Sequence, residues 1–104
     1  MAVTQVREFI SEQSDVCQAE YLAVVDRLEL DGFLVEPYAK KVEARLFEMR
    51  LRRGRQIRVF YYYDAGDFIV GVHAFVKKTQ KTPLRELKQA RRVASAVLRG
   101  EYDE

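Results

Sequence analysis

Cysteine occurs once in this chain, at Cys17, and histidine once, at His73. A single thiol cannot close an internal disulfide and suits a reducing compartment. One Cys and one His are too few for a zinc site built on those ligands. Long apolar runs are also missing, and none approaches the roughly 20 residues that span a bilayer. The first residues lack the basic-then-apolar pattern of a secretory signal. These absences point to a cytoplasmic protein with no membrane contact, no metal and no cofactor. Only two prolines and five glycines are present, and no linker, repeat or low-complexity tract stands out. The whole chain, 1–104, reads as one domain with a modest core. Its 48% hydrophobic and 33% charged content is that of a folded soluble protein, not a disordered one.

What is present is a charge asymmetry. Residues 1–39 hold two basic and eight acidic side chains. Residues 40–92 hold fifteen basic against five acidic, and the last twelve residues one against three. The net charge of +2 therefore joins an acidic segment to a strongly basic one. A basic half in a small chain points to a polyanion, most often nucleic acid.

The chain changes period along its length. Residues 3–12 read as a short helix with Val6, Phe9 and Ile10 on one side. Ser14 or Asp15 suits the N-cap of a second helix over Val16–Leu30. Its apolar residues Val16, Ala19, Leu22, Ala23, Val25 and Leu28 have near-helical spacing, and Asp31-Gly32 is a stop. Phe33 to Glu43 reads as a connector. Leu46–Arg52, Ile57–Asp64 and Phe68–Val76 are β-branched and aromatic and read as three strands, with Gly54 and Gly66 at the turns. Thr82-Pro83 starts a last helix, Thr82 capping and Pro83 at its first position. Leu84, Leu87, Ala90, Ala94 and Val97 follow at helical spacing. The order gives an α+β fold, two helices on a three-stranded antiparallel meander plus a C-terminal helix, with helices on one sheet face.

Strand register follows from keeping apolar residues on one face. In the first hairpin Met49 falls opposite Val59 and Leu51 opposite Ile57, leaving an Arg53-Gly54-Arg55 loop. In the second, a two-residue Ala65-Gly66 turn sets Tyr61 opposite Val70, Val59 opposite Val72 and Ile57 opposite Ala74. By alternation Arg50 then faces Arg58, and Arg58 faces His73, on a side shared with Glu48, Phe60, Tyr62, Ile69 and Phe75. Like charges directly opposite destabilise a sheet by up to roughly 1 kcal/mol, unless solvent screens them or an anion bridges them. Arg58 is central in this row, and its removal should relieve strain without opening a cavity. Cations beside aromatic faces suit single-stranded RNA. The same row also fits a merely solvated face. Phe60 and Phe75 suit packing better than base stacking, and Cys17 suits small core packing. After the third strand, Phe75-Val76-Lys77-Lys78-Thr79-Gln80-Lys81-Thr82-Pro83 brings three lysines and two threonines to a helix start, where phosphate is favoured.

These residues carry a resemblance. Leu46-Phe47-Glu48-Met49-Arg50, Ile57-Arg58-Val59-Phe60-Tyr61 and the Phe75–Pro83 segment resemble the phage-derived HigB-like branch of the RelE toxins, in order and spacing from about Thr4 to Ala96. The resemblance implies a RelE-like fold and the toxin of a type II toxin–antitoxin pair. Such a toxin is an endoribonuclease, an mRNA interferase acting usually on the ribosome, which inhibits translation. It implies a HigA-like helix-turn-helix antitoxin as partner, which alone would contact operator DNA. It also implies a phosphate site on the concave sheet face, with Arg50, Arg58, Lys77, Lys78 and Lys81 in the matching positions. Relatives usually begin with a short strand that is missing or very short here. A smaller sheet with an unprotected edge is then expected.

Metal-independent RNA cleavage needs a base for the 2′-hydroxyl, cations at the phosphate and an acid for the leaving oxygen. Arg50 and Arg58 suit the phosphate. Lys77, Lys78 and Lys81 are candidate bases where clustered charge lowers a pKa, and His73 suits either proton transfer. Arg52, Arg53, Arg55, Tyr62 and Thr79 are candidate RNA contacts. The alternative is a catalytically degenerate module that only binds its antitoxin or nucleic acid. A DNA-binding accessory protein is a third reading, without a recognition-helix motif. Antitoxin contacts are expected on the acidic helices over residues 4–31, at exposed Glu12, Glu20 and Asp26.

Overall fold

Four short strands pair into one antiparallel sheet, and three helices cover it. A computed structural model describes residues 1–64 and 68–101. In chain order the elements are α1 (Thr4–Ser11), α2 (Asp15–Asp31), β1 (Ala39–Glu43), β2 (Leu46–Leu51), β3 (Ile57–Tyr63), β4 (Ile69–Val76) and α3 (Leu84–Leu98). The sheet order is β1-β2-β3-β4, every pair antiparallel. The α+β class and the RelE-like arrangement of helices and strands are as expected.

The helix starts and stops follow local chemistry. Ser14 Oγ accepts from the Cys17 backbone N at 3.2 Å and caps α2, satisfying a donor that the first turn leaves unpaired. Gly32, at φ 81°, ends the helix in the left-handed region, which glycine enters without a Cβ penalty. The start of α3 departs from expectation. Pro83 itself is the N-cap, with no side-chain cap bond. Thr82 Oγ1 instead donates to Glu48 Oε2 at 2.6 Å, a charge-assisted hydrogen bond.

The connector read over Phe33–Glu43 contains a strand. β1 pairs with β2 through Ala39↔Met49, Lys40↔Glu48 and Lys41↔Phe47. Only Ala39 of these five residues is buried, so an edge strand with a polar outward side left little apolar alternation to read. The meander is therefore four-stranded.

The β2–β3 register is the expected one, with Met49↔Val59, Arg50↔Arg58 and Leu51↔Ile57. The β3–β4 register is not. Ile57 faces Val76, Arg58 faces Phe75, Val59 faces Ala74 and Phe60 faces His73. A bulge then shifts the pairing to Tyr61↔Gly71 and Tyr63↔Ile69. The extra residue is Val72; it moves Val70 opposite Tyr62, and both valines are buried. Below the bulge the slip is two residues, so faces are preserved. Above it the slip is one, and Ile69 joins Tyr63 instead of Tyr62. The expected Ala65-Gly66 turn lies outside the described residues.

The helices divide between the two faces. A Cβ on Gly71, opposite Tyr61, would touch Ala2 Cβ at 3.4 Å and Val6 Cγ1 at 3.6 Å, so α1 lies on the Tyr61 side. There the core holds Val6, Ile10, Cys17, Val24 and Leu28 against Met49, Leu51, Ile57 and Val59, all buried. The opposite face, with Glu48, Arg58, Phe60 and His73, receives α3, where Glu86 meets His73 at 2.8 Å. The expectation of helices on one face is thus corrected. Val16 and Leu22 of α2 are exposed, and the buried stripe runs through Cys17, Val24 and Leu28.

The missing first strand is reduced to one parallel bridge, Ala2↔Gly71. Val3 N donates to Gly71 O at 3.0 Å, and Gly71 N to Met1 O at 2.9 Å. Past the bulge, Gln5 takes over: its Nε2 donates to Ala74 O and its Oε1 accepts from Ala74 N, both at 2.9 Å. A side-chain amide thereby closes the outer backbone groups of Ala74, so this part of the edge is not unprotected. Replacing Gln5 by Ala removes two hydrogen bonds, so urea unfolding should show a loss of about 1–3 kcal/mol.

Candidate nucleic-acid interface

Arg50 and Arg58 stand directly opposite each other, and the sheet handles the two like charges differently. Arg58 is turned inward and is 7% exposed. Its Nε lies 3.4 Å from Glu48 Oε1, and its Nη1 donates to Ile57 O at 3.2 Å. Burial lowers the guanidinium pKa; Glu48 opposes that, and Arg50 and Arg52 add to it. Arg50 is half-buried. Its backbone N donates to Tyr38 O at 2.8 Å, while its Nε is buried without a hydrogen-bond partner.

Glu48 links three segments. It is 5% exposed, lies on β2 opposite Phe60, ion-pairs with Arg58 of β3 and accepts from Thr82 just before α3. That bond draws the Lys77–Thr82 segment over the sheet. Between this segment and β1 opens a cleft of about 350 Å³. Lys40, Lys41, Arg50, Lys77 and Lys81 line it, with Glu48 as its one carboxylate. Lys77 is anchored where its backbone N donates to Gln56 O at 2.7 Å. Desolvation holds its ammonium below the usual lysine range, helped by Arg58, Arg50 and Lys40 and opposed by Glu48. Such a cleft presents clustered positive charge, partly stripped of water. Those features fit an oligoanion such as a phosphodiester.

The structure brings together Arg50, Lys77 and Lys81, with Arg58 beneath them on Glu48. His73 lies apart. It faces Phe60, not Arg58, because of the register described above. Its Nε2 bonds Glu86 Oε1, and its ring stacks on Phe75 at 5.8 Å. His73, Lys78 and Thr79 line a second cleft with Gln5 and Arg85. Thr79 Oγ1 donates to Lys81 O at 2.6 Å and shapes the intervening loop. Arg52, Arg53 and Arg55 are exposed on the β2–β3 loop. The backbone N groups of Arg52 and Arg53 donate to Glu20 Oε1 at 2.8 and 2.9 Å. Glu20, expected on an exposed helix face, is therefore half-buried and holds the loop. A Cβ on Gly54 would press on Ser14 Oγ at 3.1 Å, so the loop needs glycine to sit on α2. Tyr62 is half-buried opposite Leu46. Phe60 and Phe75 are buried and stacked, centroids 5.7 Å apart.

Sequence reasoning gave no role to Lys40, Lys41, Gln80 or Thr82 in this cleft, nor to Glu48. The lysines were hidden with β1. Glu48 was readable, since Leu46, Glu48 and Arg50 alternate onto one face. Among the described residues, no group of three His, Cys, Asp or Glu side chains could hold a metal ion. No helix of the described residues is long and apolar enough to cross a membrane.

A family model described as "Phage derived protein Gp49-like (DUF891)" matches residues 8–95 of the chain. No curated protein matches it significantly.

Removing Arg58 does not relieve strain, as the paired strands alone suggested, because it strands a buried carboxylate. Glu48→Ala should cost about 3–5 kcal/mol, since it leaves Arg58 buried and unpaired. The double variant Glu48→Met, Arg58→Leu should recover most of that loss in the same denaturation experiment. Additive losses would show that the two side chains do not act as a pair.

Proposed function

The chain belongs to the phage-derived Gp49-like protein family, part of the RelE/HigB-type toxin group, and on that premise we propose that it is the toxin of a type II toxin–antitoxin system, an endoribonuclease that cuts mRNA on the ribosome. Family members are related to RelE-type toxins, which are ribonucleases. In this reading a helix-turn-helix antitoxin neutralises the chain, and operator DNA is contacted through the antitoxin alone. The cytoplasm is the matching compartment. The observation that carries the reading is the cleft around Arg50, Lys77 and Lys81, with one buried carboxylate behind it.

The chemistry runs on the RNA's own 2′-hydroxyl. Lys77, whose neutral form burial favours, takes the 2′-hydroxyl proton. The 2′-oxygen attacks the adjacent phosphorus, and the bond from phosphorus to the 5′-oxygen breaks. The products are a 2′,3′-cyclic phosphate and a 5′-hydroxyl, and no oxidant, reductant or extra water is consumed. Arg50 holds the non-bridging oxygens as negative charge builds on them. Arg58, held by Glu48, adds positive potential from beneath. Lys81, as an ammonium, gives a proton to the leaving 5′-oxygen. His73 and Lys78, in the second cleft, suit RNA on either side of the cut more than the cut itself, as do Arg52, Arg53, Arg55 and Thr79. The degenerate-module reading leans on the first strand, which is reduced here to the Ala2↔Gly71 bridge with Gln5 beside it on the β4 edge.

Induced expression without an antitoxin should slow growth and deplete translated mRNA. Lys77→Arg keeps the charge and removes the base. It should lower cleavage on purified ribosomes by about 10²–10⁴-fold while RNA binding stays within a few-fold. For the unaltered protein the rate should rise with pH until Lys77 is neutral. The acid limb of that profile belongs to Lys77, whose pKa burial lowers. Normal growth at confirmed soluble expression, with no cleavage on ribosomes, would return the chain to the binding-module reading.

A further inference from the structure

α2 is apolar on two opposite sides. Its inner stripe, Cys17, Val24 and Leu28, is buried in the core. An outer stripe of Val16, Ala19, Leu22, Ala23 and Leu30 recurs at intervals of three, four and seven residues, which places it along one helix face. All five are exposed, with Val16 at 55%, Leu22 at 60% and Leu30 at 85%. The other two helices differ. Their solvent sides carry Arg7, Glu8 and Ser11 on α1, and Arg85, Lys88 and Arg92 on α3. Scattered surface leucines need no partner, but an aligned stripe on a helix already seated by its other face does.

The chemistry of the stripe selects its occupant. Ala19 and Ala23 lie in its middle and let another helix approach closely. Asp26 sits among the apolar residues. α2 as a whole carries five carboxylates against Arg27 alone, and Arg27 lies over the Tyr38 ring at 5.7 Å. A second copy of this chain would bring the same negative charge to the same face. A basic helix would pair with it.

We propose that the outer face of α2 docks an amphipathic helix of a partner protein, its apolar side on Leu22, Ala23 and Leu30 and its lysines or arginines beside Asp15, Asp26 and Glu29. The surface rests on α2 alone and does not depend on what the cleft does. If the chain is a toxin, its antitoxin is the partner. A helix docked here lies on the sheet's other side from Arg50 and Lys77, so it would leave the cleft uncovered.

The test uses the full chain, labelled with nitrogen-15, and a synthetic 18-residue helix with leucines and alanines on one side and lysines along both flanks. The expected result is saturable binding with shifts confined to the outer face of α2. The same peptide with glutamates for lysines should bind at least tenfold more weakly. The Leu22→Ser, Leu30→Ser variant should also lose at least tenfold, with unchanged circular dichroism and melting temperature. Equal binding by that variant would reduce the effect to plain charge attraction and overturn the proposal. So would shifts centred on Arg50 and Lys77, or a dimer of the chain alone that the two serines dissociate. None of these readouts needs growth arrest or RNA cleavage, so failure of the toxin reading is seen separately.

Discussion

The architecture of the basic face depends on one buried carboxylate. Without Glu48, Arg50 and Arg58 would confront each other across β2 and β3 with nothing between them. With it, Arg58 folds inward against a counter-charge and Arg50 is left to face the cleft. The same carboxylate takes the Thr82 hydroxyl and so fixes where the lysine segment crosses the sheet. Buried ion pairs are weak contributors to net stability but costly to break. Here the pair fixes positions. It sorts two arginines into one buried position and one half-buried position that lines the cleft.

A second constraint is the β4 edge. Losing a full first strand leaves backbone donors and acceptors without a ladder, and a row of them invites another chain. Two devices meet this. Met1 O and Val3 N bond Gly71, where a Cβ would rest in ordinary contact with Ala2. The bulge at Val72 then changes which groups point outward, and Gln5 closes Ala74 with both ends of its amide. The bulge and the short N-terminal bridge therefore belong together. One produces the irregular edge, and the other, with Gln5, satisfies it.

Most of the fold was legible because its signals were strong and local. Ser14 and Gly32 bound α2 by capping chemistry, and the β2–β3 register followed from a single requirement to share an apolar face. What failed was non-local. β1 has one buried side chain, so it has almost no hydrophobic pattern of its own and exists because β2 offers it an edge. The β3–β4 register was misplaced because periodic reasoning does not foresee a bulge. The site split along the same line. Arg50, Lys77 and Lys81 came from strand alternation and a segment contiguous in sequence, and the structure brings them to one cleft. His73 was joined to them through the wrong register. Lys40 and Lys41 were passed over with the strand that carries them.

The two stripes of α2 show why amphipathic spacing alone could not orient the helix. Val16, Leu22 and Leu28 all fit a helical period, yet only Leu28 is buried. Burial was decided by contacts the sequence does not display. Glu20 reaches the backbone of Arg52 and Arg53, and Ser14 and Cys17 sit beneath Gly54. These bonds rotate α2 so that Cys17, Val24 and Leu28 face the sheet. The same rotation turns Val16, Leu22 and Leu30 to solvent. The carboxylate of Glu20 thus ties the helix to the β2–β3 loop in the orientation that buries Cys17, Val24 and Leu28. The acidic segment and the basic sheet face end on opposite sides of one small sheet. The charge asymmetry in the sequence is therefore spatial as well as linear, and it leaves each side able to meet a different class of partner.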